Sequence, residues 1–121
     1  MEISQRDVFI LDPPFAENLT QHPFIVLSCK ESHLVEGTFI GVMITSSKHY
    51  KDDYSFNLTD EMFESPLEKQ DCHARMHLVT LFYEGEIKGR KINKMKVFYF
   101  KQLMKTIGEL VFNYNFIPLQ Q

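Results

Sequence analysis

Three residue types in this 121-residue chain could act together on a phosphodiester. His22 stands ahead of Pro23 in QHPFIVLS, at the mouth of an apolar run. Thr45 ends another apolar run in ITSS, Ile44 to Ser47. Arg75 lies between two histidines in the alternating stretch His73, Arg75, His77. Metal-free cleavage of RNA needs a base for the 2′-hydroxyl proton and an acid for the leaving 5′-oxygen. It also needs donors to hold the charge of the phosphorane. Histidine suits the proton transfers because its ordinary titration lies near neutrality. A threonine hydroxyl donates to a phosphate oxygen, and an arginine fork donates two hydrogen bonds to one phosphate.

Each group also has a plainer reading. A histidine before a proline is often a surface turn residue. Three hydroxyls after a strand are often a turn, although Thr45, Ser46 and Ser47, followed by Lys48, could equally line a phosphate. On a strand His73, Arg75 and His77 share one face, about 7 Å apart per step. That face is either the solvated outside of a sheet or a short cationic strip. His22, His33, His49, Cys72, His73 and His77 can be assembled into a metal site on paper, but apart from the alternating pair His73 and His77 the set has no recognised ligand spacing. We expect neither a metal nor a cofactor. The 11 Phe and 5 Tyr can stack on bases, yet with no Trp most of these rings are needed in the core.

The elements that must position these groups are mostly strands. Val8–Leu11 is apolar and stops at Asp12-Pro13-Pro14, where prolines cannot continue a ladder. Pro23–Cys29 contains four consecutive apolar residues, Phe24 to Leu27, the pattern of a strand buried on both faces. Lys30–Gly37 is polar and reads as a connection. Thr38–Ser46 is a third strand, in which Gly41 marks a bulge or a close backbone approach. Tyr54–Leu58 is a short fourth strand. From Cys72 to Tyr83 the chain alternates, with Cys72, Ala74, Met76 and Leu78 opposite the histidine–arginine set. The period then changes. Val97, Phe100, Leu103, Met104, Ile107, Leu110 and Val111 form a helical stripe over roughly residues 95 to 113, with Asn93 as its N-cap. The tail should leave the helix at Asn113 and be tied down by Phe116. Many short strands and one packing helix predict a mainly β fold, a small, strongly bent antiparallel barrel capped by the helix.

Composition fits a single domain spanning residues 1–121 with one modest core: 44% hydrophobic and 24% charged residues favour folding over disorder. A net charge of −3 argues against gripping duplex DNA by bulk charge alone. Two cysteines without a CxxC motif read as reduced thiols, the N-terminus does not read as a signal peptide, and no apolar run approaches a membrane span. The expected location is the cytoplasm.

The order of these segments resembles the MazF/PemK family of toxins from bacterial toxin–antitoxin pairs. The family's Asp-x-Pro-Phe stretch after the first strand appears as DVFILDPPF, and its Arg-Pro pair opening a strand that ends in Leu-Ser appears as HPFIVLS. Its strand ending in Ile-Thr-Ser appears as VMITSS, and its later polar-x-x-Arg strand as CHARMHLV; a C-terminal helix follows. The resemblance spans residues 7 to about 113. It implies an SH3-like barrel, a homodimer, metal-free cleavage of single-stranded RNA, and neutralisation by a protein antitoxin that covers the RNA groove. It sets Thr45 at the family's active-site threonine and Arg75 near its later-strand arginine. There are two departures. His22 stands where the family has a catalytic arginine, and Arg6-Asp7 where it has Gly-Asp. The first leaves open either proton transfer by His22 or a protein that binds without cutting, a silent RNA binder or one resembling the related toxins that poison DNA gyrase.

Overall fold

The structure, a computed structural model, describes residues 2–114. Six strands form one antiparallel sheet: β1 (Asp7–Leu11), β2 (His22–Val26), β3 (Thr38–Thr45), β4 (Ser55–Asn57), β5 (His73–Tyr83) and β6 (Asn93–Lys94). Their order across the sheet is β4-β5-β3-β2-β1-β6. Two helices join them, α1 (Lys30–Glu36) and the C-terminal α2 (Val97–Leu110). The bent, mainly β architecture with its helix is the one expected.

The central strands are apolar on both faces, so the sheet carries two cores. Val8, Ile25, Leu27, Val42 and Ile44 face inward with Ala74, Met76 and Met95, and α2 covers them with Phe100, Leu103 and Ile107. Phe9, Leu11, Phe24, Val26, Phe39 and Met43 point the other way and pack with Ile3 and Phe82. Gly41 pairs in regular register with Thr80 and Val26. It answers a close approach: a Cβ there would sit 3.4 Å from the Ile25 carbonyl and 3.4 Å from Phe24 Cβ. The irregularity lies just beyond, where β3 advances from Val42 to Ile44 while β5 runs from Val79 to Ala74.

The sheet curls until its edges meet. After β4 the chain makes a short turn, and Phe63 bridges to Met95 beside β6. The Glu64 N–H donates to the Lys94 carbonyl at 2.9 Å and the Lys96 N–H to the Met62 carbonyl at 2.8 Å. Asn93 adds both sides of its amide to the backbone of Ser65. Asn93 therefore sits in the seam, not at a helix N-cap; Lys96 takes that position.

Several boundaries move. β2 ends at Val26 because the N–H groups of Leu27 and Ser28 both turn to the Ile40 carbonyl. Lys30–Glu36 is a helix, not a connection. It buries only His33 and ends at Gly37, whose φ of 69° is the left-handed cap glycine favours. α2 is shorter than its apolar stripe, and Val97, Met104 and Leu110 remain exposed. Phe116 lies outside the described residues. Among the described residues no helix is long and apolar enough to cross a membrane.

Arg6, standing where the family resemblance has glycine, takes φ 79°. A non-glycine residue there costs about 1–2 kcal/mol. Its backbone bonds Val26 and Met95, and its guanidinium donates to the Met95 carbonyl at 2.8 Å, which offsets part of that cost.

Leu103 is fully buried between α2 and the sheet. Leu103→Ala should lower stability by about 3 kcal/mol in urea unfolding. A loss under about 1 kcal/mol would show that α2 does not seal the inner core.

Candidate active site

The open mouth of the barrel is a cleft of about 240 Å³. Its walls are built from the ends of the doubly buried strands. Val8 and Ile10 of β1 and Ile44 of β3 give it an apolar floor; Gln21, His22, Thr45, Ser46, Glu68 and Lys69 supply polar groups. Ile92 and Asn93 at the seam close one side.

His22 opens β2 and Thr45 closes β3. These strands pair with Phe24 opposite Met43. His22 and Thr45 each lie two positions past that pair, where the β2–β3 ladder has ended; His22 stays paired with Leu11 of β1 and Thr45 with His73 of β5. The His22 ring contacts the Thr20 carbonyl through Nδ1 at 2.6 Å. A carbonyl only accepts, so Nδ1 carries the proton, and in the neutral ring Nε2 has the free lone pair. The Thr45 hydroxyl oxygen accepts from the Ser47 N–H at 3.2 Å, leaving its proton to donate. Ser47 thus shapes the turn. Lys48 begins a single 3-10 turn and, with Ser46, Lys51, Asp71 and His73, borders a neighbouring groove.

The later-strand set is arranged differently from either reading of the sequence. Neither a solvated face nor a cationic strip forms, because His73 is 1% and Arg75 5% exposed. β4 pairs along this part of β5, with Ser55 opposite Arg75. Asp52, just ahead of β4, takes both ends of the guanidinium at 3.0 and 3.3 Å, and Ser55 Oγ lies 3.3 Å from it. Only His77 of the three is exposed, and none of the three lines the cleft. The alternation holds from Cys72 to Met76 and breaks at the irregularity beyond, where Val79 packs on the inner core in place of Leu78; the covering by β4 has no mark in the alternating residues themselves.

The charges follow from this packing. The hydrogen bond from Arg75, helped by the Tyr54 N–H, holds the Asp52 carboxyl below the usual carboxylate range. Partial burial, then the adjacent Arg75 charge, lowers the His77 pKa below 6.5, with Asp52 opposing. The Arg75–His77 contact of 3.4 Å fits a neutral ring accepting from the guanidinium. Burial raises the pKa of the Cys72 thiol, which donates to the Lys69 carbonyl at 3.1 Å. Both cysteines are free thiols. Among the described residues, no three His, Cys, Asp or Glu side chains come together in a group that could hold a metal ion.

Glu68 and Lys69 were not singled out in the sequence. They reach the cleft from the irregular segment after Pro66, where no periodic pattern locates a side chain.

No protein-family model matches the sequence, and no curated protein sequence matches it. Solved structures do. MazF from Deinococcus radiodurans superposes with a TM-score of 0.71 at 14% identity, over 93% of this chain and 99% of that one. A MazE–MazF structure from the same organism gives 0.65 at 12%, over 91% and 95%. An endoribonuclease in complex with its cognate antitoxin from Mycobacterial species gives 0.66 at 7%, over 89% and 91%. The likeness is one of fold: a bent antiparallel sheet closed by a C-terminal helix. In particular, this chain has the MazF fold, as the order of its motifs implied.

His77 binds its proton less readily folded than unfolded. As pH falls through about 6.5 the unfolded chain takes up that proton first, so this contribution to stability is present above that range and lost below it. Wild type should lose more stability between pH 7.5 and 5.5 than His77→Gln does, measured by urea midpoints. Equal losses would show that His77 is not held neutral by this packing.

Proposed function

We propose that the chain is an endoribonuclease toxin that cuts single-stranded RNA at the barrel mouth, without a metal or cofactor, and is neutralised by a protein antitoxin. The observation that carries this reading is that His22 and Thr45, on different strands, border one cleft in a chain with the MazF fold. In this reading His22 Nε2 takes the 2′-hydroxyl proton. The 2′-oxygen attacks phosphorus, the bond to the 5′-oxygen breaks, and a cyclic phosphate forms. Thr45 and Ser46 donate to the phosphate oxygens as charge builds on them. Lys69, the one Lys or Arg among the lining residues, faces the same charge and is the candidate donor to the leaving oxygen. Arg75, tied to Asp52, supports β5 and β4 instead of meeting phosphate.

The matched structures that contain an antitoxin support a protein partner of that kind. The working form in this reading is a cytoplasmic homodimer, as the family resemblance implies.

One observation favours a second reading. The cleft holds a histidine where the resemblance has arginine, and Arg75 is already engaged. Such a site suits a protein that binds RNA or gyrase without cutting.

Purified, antitoxin-free protein should cleave a long single-stranded RNA in EDTA. His22→Ala and Thr45→Ala should each reduce the rate at least about 100-fold. If wild type leaves diverse RNAs intact, the enzyme reading falls and the binding reading replaces it. If wild type cuts and His22→Ala cuts equally well, the base lies elsewhere.

A further inference from the structure

The charge of the chain is sharply divided. Between Ile87 and Gly108 there are seven cations and no acid, while the remaining residues carry six cations and all sixteen acids. The segment is thus +7 and the remainder −10, which gives the net −3. Five of the seven cations, Lys88, Arg90, Lys91, Lys94 and Lys96, fall within nine residues at the seam and ahead of it.

Two acids partly balance those five. Lys88 pairs with Asp12 at 2.9 Å. Lys94 and Lys91 approach the buried Asp7 at 3.2 and 3.8 Å. Three positive charges remain over, and Arg90 and Lys96 have no ion pair among the described residues. The strip is anchored at its C-terminal end, just past Arg90 and Lys91. The Ile92 N–H donates to the Val8 carbonyl at 2.8 Å, Lys94 pairs with Asp7 along β1, and the seam fixes Asn93 from the other side.

The same short stretch walls the cleft. Ile92 and Asn93 line it, whereas Arg90, Lys91 and Lys94 border a shallow groove on the far side with Ser4, Asp7 and Glu2. Two residues of main chain span at most about 7 Å, so Arg90 lies within one short step of the cleft rim. Glu2 is turned to Lys30. Salt shortens electrostatic reach to about 8 Å at physiological strength, so a ligand on this wall meets the strip together with the nearby Glu64, Glu68 and Asp7, and not the acids farther off.

We propose that Arg90 and Lys91 bind the backbone of a single-stranded nucleic acid leaving the cleft over the Ile92–Asn93 wall. The proposal rests on the RNA reading above and names its backbone contacts. It moves them from β5, where Arg75 is buried, to the β5–β6 connection. A nucleic acid is favoured over an acidic protein segment because the strip adjoins the cleft that holds His22 and Thr45.

The test is binding of a labelled single-stranded 2′-O-methyl RNA, which lacks the attacking hydroxyl, as a function of salt. Arg90→Ala/Lys91→Ala should bind roughly tenfold more weakly, with a log–log salt slope shallower by about 1.4, for two lost phosphate contacts. Arg90→Lys/Lys91→Arg should keep the slope, which separates charge from misfolding. Lys101→Ala/Lys105→Ala, on exposed positions of α2, should leave it unchanged. If wild type binds and the Arg90/Lys91 alanine variant binds with the same slope, the strip is not the contact, while the RNA reading stands. If wild type neither binds this probe nor cuts RNA, the RNA reading falls and takes the strip with it. If a poly-glutamate peptide binds through Arg90 and Lys91 and the RNA does not, the strip serves an acidic protein and the proposal is overturned.

Discussion

Burial of β1, β2 and β3 on both faces is the constraint from which the rest of the molecule follows. A strand with one buried face resists a one-residue slip because the slip would turn its apolar side to water. Here a slip would exchange two different cores. The outer one is aromatic: Phe24 meets Phe82 edge-on at 4.8 Å, and Phe39 stacks on Phe82 at 5.5 Å. The inner one is aliphatic around Val8, Ile25, Val42 and Ala74. The two sets differ in volume, so each fits only its own side. Gly41 leaves the gap that lets β2 come close to β3 at Phe24.

Such strands hold their ends firmly. The cleft gathers residues at the point where ladder pairing stops and solvent begins. His22 and Thr45 are terminal residues of their strands, so the backbone under each is fixed on one side; His22 is half-buried at the rim, while Thr45 is buried in the cleft wall. The seam completes the wall by returning Phe63 to Met95. Because Asp7 is buried beneath Lys91 and Lys94, the first strand and the seam are also joined electrostatically. That arrangement gives Arg6-Asp7 a structural role, with Arg6 accepting an unfavourable φ in order to tie Val26 and Met95 together.

Much of this was legible in the sequence where periodicity is strong. The unbroken run Phe24 to Leu27 announced a strand covered on both sides, and the switch to a helical stripe announced α2. Residues with weak periodic signals were harder. α1 has seven residues and buries only His33, so the informative mark was Gly37 as its cap. Asn93 resembles an N-cap by type, yet the seam claims its amide first. His73 and Arg75 lie on the face that alternation assigns them, but whether that face is wet depends on β4, a partner distant in sequence. The basic run Lys88–Lys96 stands in the sequence but drew no expectation. Net charge concealed it, since a total cannot report that its positive share is confined to one segment.

The shortness of the sheet's margins has its own consequence. β4 is three residues long, β6 is two, and β6 is flanked by the segment around Phe63. A strand needs a longer run of unpaired N–H and carbonyl groups to serve as a template for another chain. The exception is β5, because β4 pairs only with His73–Arg75 and leaves the outer side of residues 77–83 without a strand partner among the described residues, the one stretch where another chain could add a strand. Everywhere else a partner has to be recognised through side chains on the faces of the sheet and at its mouth.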